Sequence, residues 1–315
     1  MAAFLAKRLG MLVASLLVAS FAIYGAVYLA PGSPIATITG GRALPPATLH
    51  LLERHYHLNE PFLARYGRWL LDALHGNFGT SLVNHQSVSS LISSRIGTTL
   101  ELVLFTGVLI VIFGLATGII SALKPGLIDS ALVTITSVLT ATPSFVAAIV
   151  LISVFAIKLG WLPAIGDGQG FGGTIEHLTL PSIALAASSV ALVSRITRAS
   201  VREELTREHV QTAIGRGLPR RIVLRHHVLR NAAIPITTIT GLTIASLFAL
   251  AAIVEEAFNL NGIGAALVNA AASKDFAVVQ AISLILVAAF VVTNAFVDLL
   301  YAMLDPRVQL GTSAS

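Results

Sequence analysis

Residues 208–231 read EHVQTAIGRGLPRRIVLRHHVLRN, five arginines and three histidines set between two long apolar runs. Val201, Leu205, Val210, Ala213 and Ile214 recur at helical intervals, after which GRGLP at 215–219 supplies the glycines and proline that stop a helix. Pro219 suits the first turn of a second helix, in which arginines from Arg220 onward alternate with Ile222, Val223, Leu224, Val228 and Leu229 until Pro235. The stretch therefore predicts a helix, a sharp turn and a helix. A loop that only sets membrane orientation would explain the arginines but not the break between two amphipathic helices. That break presents a small rigid knob, which reads as a docking element for a separate protein, an energy-supplying one.

The flanking runs place the knob at a membrane. Of the 315 residues, 55% are hydrophobic and 11% charged, and mean hydropathy is +0.85; soluble domains carry about 25% charged residues. A spanning helix needs about 20 mostly apolar residues, because hydrocarbon offers backbone groups no partner outside the helix. Runs that qualify are Leu9 to Ala30, Thr98 to Ser121, Ser130 to Ile157, Leu180 to about Arg198 (interrupted by Arg195), Pro235 to Val254 and Ala277 to Met303. The first exceeds a secretory signal core and reads as an uncleaved anchor. Six spans put both termini on one side. With the N-terminus inside, the outer segments hold Arg42, Arg54, Arg65, Arg68, Arg95, Lys158 and Lys274, leaving thirteen of the 20 lysines and arginines inside, the side that retains such charge. This bias accounts for the net charge of +5 without nucleic acid.

The expected organisation is a cytoplasmic N-terminus and first span (1–30), an extracytoplasmic segment (31–97), a membrane core (98–303) containing a cytoplasmic loop at 199–234, and a cytoplasmic tail (304–315). In the outer segment, Leu63, Tyr66, Trp69, Leu70 and Leu74 predict an amphipathic helix, packed on the spans or lying at the membrane surface. Lys158 to Thr179 and Glu255 to Phe276 read as outer loops, and Ala122 to Asp129 as a tight inner turn around Pro125 and Gly126.

Several patterns carry less than they suggest. No G-x-x-x-x-G-K followed by Ser or Thr occurs, so the chain does not hydrolyse ATP by itself. GDGQGFGG at 166–173 contains G-x-G-x-x-G but lacks the strand and helix that give it meaning, and reads as a flexible turn. His50, His55 and His57 do not share one helix face, so surface or packing roles are favoured over a metal site. Absence of cysteine excludes disulfides and thiolate chemistry. Gly114 and Gly118 in GLATG allow close helix approach. Glu255 and Glu256 end the fifth span, either among solvated headgroups or lining the outer mouth of a path for cationic groups.

The loop EHVQTAIGRGLPRRIVLRHHVLRNAAIP resembles the cytoplasmic loop of ABC importer permeases of the dipeptide/oligopeptide branch. Thr212, Ala213, Gly217 and Leu218 match its first part; Arg225, His226, Leu229, Arg230, Asn231, Ala232, Ile234 and Pro235 match its second. LAPGSP at 29–34, RYGRWLLDALHGNFGTSL at 65–82, TLELV at 99–103, PSF at 143–145, LGWLPA at 159–164 and DLLYAMLDPR at 298–307 extend the similarity over nearly the whole chain. His209, Ile214, Gly215 and Arg216 depart from the branch's usual Tyr, Arg, Ala and Lys. Leu260 and Asn261 stand where it tends to have Trp-Pro.

The resemblance implies an all-α membrane protein of six transmembrane helices with type I ABC importer permease architecture. It implies dipeptide or oligopeptide import, a second homologous permease subunit in a heterodimer, two ATP-binding cassette subunits holding ATP and Mg, an extracytoplasmic peptide-binding protein and surrounding membrane lipids. The chain itself would bind no cofactor. Thr212, Ala213, Ile214, Gly215, Arg216, Gly217, Leu218 and Pro219 would form the helix that couples to an ATPase. Thr240, Thr243, Ser246 and Glu255 are the candidates for the translocation path, with helix–helix hydrogen bonding as the other role open to the hydroxyls. Nickel or glutathione import, and a self-sufficient channel or secondary transporter, are the alternatives.

Overall fold

In a computed structural model, residues 2–29 and 59–304 are described, with isolated positions 45, 48 and 50 between them. The histidines His55 and His57, LAPGSP beyond Leu29 and the 305–315 tail lie outside these residues. The described chain is helical, its one extended feature an antiparallel bridge between Thr80 and Ser87. α1 spans Ala2–Leu29, α2 Phe62–Leu74, α3 Val88–Ser93 and α4 residues 96–123. α5 spans Leu127–Ala141, α6 Ser144–Lys158, α7 Gly170–Thr206, α8 Glu208–Gly215, α9 Arg220–Ala257, α10 Ile263–Ala272 and α11 Phe276–Leu304.

Five of these stretches are individually long and apolar enough to cross a membrane, α3 and α4 counting as one. The third expected run differs from a straight span: α5 and α6 meet at 103° across Thr142 and Pro143, and taken as one broken span they complete six. Pro143 cannot donate to the helix ladder, and Thr142 is already extended at ψ 114°.

Two other prolines act differently. Pro235 was expected to end the second helix of the knob, but α9 runs unbroken from Arg220 through it. Pro181 lies inside α7, which starts ten residues before the expected Leu180 and continues past Arg198 to Thr206. Neither proline interrupts its helix. The loop after Lys158 is correspondingly shorter than expected, and the segment after Glu255 contains α10.

Packing centres on α7, which contacts α4, α5, α6 and α9, while α11 closes against α9 and α1. Lipid is as apolar as leucine, so association between spans depends on close fit and internal polar contacts. The GLATG pair supplies the fit within this chain: at Gly118 a Cβ would lie 2.5 Å from Thr197 Cβ and 2.6 Å from the Ser194 carbonyl oxygen. Beside it Thr117 Oγ1 donates to Ser194 Oγ at 2.9 Å. Gly118→Ala should therefore force α4 and α7 apart at a cost of about 1–3 kcal/mol, read as a lowered melting temperature of the detergent-solubilised protein; Gly10→Ala, which meets open space, should not.

The amphipathic helix expected at Leu63 to Leu74 is α2, and it packs on α1. Phe62, Tyr66 and Trp69 meet Phe21, Tyr24 and Tyr28 with ring centroids 5.1–5.7 Å apart, and Ser20 Oγ lies 2.9 Å from Tyr66 Oη.

Candidate functional site

The knob is α8 and the turn that follows it. Val210 and Ala213 are buried in a cluster with Val201 of α7 and Val223, Val228 and Ala232 of α9. Val223 and Val228 share that face because residues 223–229 are π-helical; closure from i to i+5 brings residues five apart to one side. α8 is thus clamped to both neighbours by its apolar side, and Ala213 anchors it instead of facing outward.

Its end is set by the backbone. Leu218 N–H donates to the Ala213 carbonyl at 3.2 Å and Gly217 N–H to the Ile214 carbonyl at 2.9 Å, the paired bonds of a Schellman ending. The residue between them must be left-handed, and Gly217 has φ 73°. Pro219 follows at φ −54° and its carbonyl accepts from Ile222 N–H at 2.8 Å, starting α9. The helix covers only Glu208–Gly215 of the knob, so Arg216, Gly217, Leu218 and Pro219 form the turn. Ile214, Leu218 and Ile222 are exposed apolar side chains, flanked by exposed Thr212, Gly215, Arg216, Pro219, Arg220 and Arg221.

A polar network invisible to sequence spacing supports the knob. Arg207 bonds Glu203 at 2.8 Å and Glu204 at 3.0 Å. His209 Nε2 lies 3.0 Å from Asn231 Nδ2 and 3.5 Å from Glu204 Oε2, while Asn231 also donates to the His227 carbonyl at 2.9 Å. His209, one of the departures from the branch, therefore links α8 to both α7 and α9. Nearby, Asp129 accepts from Arg198 at 2.7 and 2.9 Å and from Arg202 at 2.7 Å, fastening α5 to α7.

The residues considered for a path fall elsewhere. Thr240 and Thr243 are buried, Thr243 donating to the Ile239 carbonyl at 2.7 Å. Ser246 is half-buried and donates to the Thr243 carbonyl at 2.7 Å. Glu255 is fully buried. Its carboxylate accepts from Thr99 Oγ1 at 2.6 Å and from Ala265 N–H at 2.9 Å, and Thr99 Oγ1 accepts from Ile263 N–H at 2.9 Å. Together they satisfy first-turn amides of α10 that no intrahelical carbonyl can reach. Asn261, in the place of the branch's proline, uses the N–H a proline would lack, donating to Asp167 at 3.1 and 3.2 Å.

The structure is thus a bundle of apolar helices with an arginine-flanked knob clamped between two of them. Residues 110–310 match the family described as binding-protein-dependent transport system inner membrane component, and the chain belongs to that family. It is 33% identical to a probable peptide ABC transporter permease of Sinorhizobium fredii, over 98% of this chain and 100% of that protein. It is 34% identical to a dipeptide transport system permease of Alkalihalophilus pseudofirmus (98% and 100% covered) and to the glutathione transport system permease of Escherichia coli K12 (96% and 97%). Among solved structures, an inward-facing methionine ABC transporter chain superposes with TM-score 0.58 at 15% identity, over 68% of this chain and 96% of that one. An amino acid ABC transporter chain gives 0.52 at 19%, over 70% and 94%; both speak to the fold.

Proposed function

We propose that this chain is a permease subunit of an ATP-driven importer of dipeptides or oligopeptides, delivered by a separate binding protein and translocated by alternating access. The observation that carries the reading is α8: a short helix held on its apolar side, ended by a left-handed glycine, and presenting Ile214, Leu218 and Ile222 between arginines. In this reading that face seats in one of two ATP-binding cassette subunits, which hold ATP and Mg, and a second, homologous permease completes a heterodimer. The termini and α8 face the cytoplasm of a prokaryote, as the lysine and arginine bias favours. ATP shifts the spans only through contacts that differ between their two states, and a clamped helix transmits such a difference as a rigid body. Glutathione import stays as a second reading on the likeness to that permease.

Purification of the tagged chain from its native membrane should recover a second permease and ATPases. Recovery alone, with transport intact, would restore the self-sufficient carrier. Ile214→Asp, which puts a charge on the exposed apolar face without touching the buried side, should weaken ATPase recovery by roughly tenfold, the size of one lost apolar side-chain contact, and leave the chain's own thermal stability unchanged.

A further inference from the structure

Charge is unevenly matched between α5 and α7. Asp129 is shared by Arg198 and Arg202, whereas Arg195, one turn back along α7, reaches only Thr140 Oγ1 at 3.4 Å. Among the described residues no carboxylate pairs with it. At 1.5 Å per residue it lies roughly 16 Å from the Thr206 end of its helix, between the mostly apolar residues 183–193 and the charged residues that begin at Arg198. An exposed guanidinium with no carboxylate among the described residues offers its donors to an anion or a partner.

A cavity is present. Thr136 and Ser137 of α5, Ser194, Arg195 and Arg198 of α7 and Ser121 of α4, with two apolar residues of α5, line a space of about 360 Å³, within the ~300–1,000 Å³ range of small-molecule sites. α5 turns hydroxyls the same way: Ser130, Thr134, Ser137 and Thr140 follow one another at spacings of four, three and three, and all are exposed. That spacing keeps them on one side of the helix, where Thr134, Ser137 and Thr140 donate to carbonyls of their own helix and keep their oxygens as acceptors.

We propose that this cavity binds the C-terminal carboxylate of the peptide in transit, with Arg195 as its counter-charge. The inference rests on the peptide reading above. A guanidinium matches a carboxylate with two parallel hydrogen bonds, and the local excess of cations over Asp129 selects an anion.

The test uses the whole transporter, with its partner permease, ATPases and binding protein, in proteoliposomes. Uptake of a labelled tripeptide and of its C-terminal amide is each expressed as the Arg195→Gln rate over the wild-type rate, which cancels any preference of the binding protein. The free acid should fall roughly tenfold, as for loss of a charged hydrogen bond, while the amide stays level. Arg195→Lys, which keeps charge but not the two-pronged geometry, should give an intermediate loss for the acid and decides the matter if the glutamine variant fails to assemble. Equal effects on acid and amide, or none on either, overturn the carboxylate site alone. A fall for both peptides that disappears in pure phosphatidylcholine vesicles assigns Arg195 to an anionic lipid headgroup and also overturns it. A wild-type transporter that carries neither peptide removes the peptide reading first.

Discussion

Gly217→Val is expected to cut ATP-driven uptake about tenfold or more in a fully assembled transporter. A Cβ at this position would meet nothing within 4 Å, so the cost is not a clash with neighbours but the backbone itself. At φ 73° an L-residue pays roughly 1–2 kcal/mol, and a β-branched one more. The chain escapes that cost by leaving the left-handed region, which breaks the paired bonds from Gly217 and Leu218 and swings Leu218 and Pro219 away from their places beside Ile214. About 1.4 kcal/mol of misplacement is a factor of ten in any equilibrium it controls. Gly217→Asn, which tolerates the left-handed region, should retain much of the uptake, and Gly215→Ala, inside the helix and facing open space, nearly all of it. Dipeptide uptake into proteoliposomes, scaled to assembled complex, is the measurement; unchanged uptake in the valine variant would refute coupling through this turn.

Glu255→Ala should be the most destabilising of the single substitutions considered, at about 3 kcal/mol or more. Its carboxylate holds Thr99 and the Ala265 amide in a site with no solvent access, and each buried donor left unpaired costs about 1–3 kcal/mol. A cavity is added to that loss. Gly262 shows how closely the carboxylate is enclosed, since a Cβ there would run into it. Glu255→Gln keeps the volume and one acceptor and should fall between. Thermal unfolding in detergent, with proteolysis across 255–275, reads the effect. An alanine variant of normal stability but altered transport would return Glu255 to the translocation path.

The knob was legible because everything that makes it is local. Helical spacing of Val210, Ala213 and Ile214, a glycine where the chain must turn left-handed and a proline suited to a first helical turn are properties of neighbours in sequence. The apolar runs are legible for the same reason, since each span must satisfy its own backbone. Ala213 shows the limit: its small size suits either a docking face or a buried anchor, and only the cluster with Val201 and Val228 decides.

Prolines mark a second limit. Pro181 and Pro235 lie in unbroken helices, while Pro143 sits at a 103° bend. The residue removes the same donor each time, and what replaces the lost bond is set by surrounding helices. Sequence by itself determined a bundle of apolar helices, the helix–turn–helix of the knob and the glycine that ends its first helix. Tertiary structure alone decided that Glu255, 156 positions from Thr99, is a buried clasp, and that Asp129, 69 positions from Arg198, leaves Arg195 without a carboxylate partner among the described residues. Those pairings depend on which helix faces lie together, and no local periodicity encodes the partner of a charge one helix away.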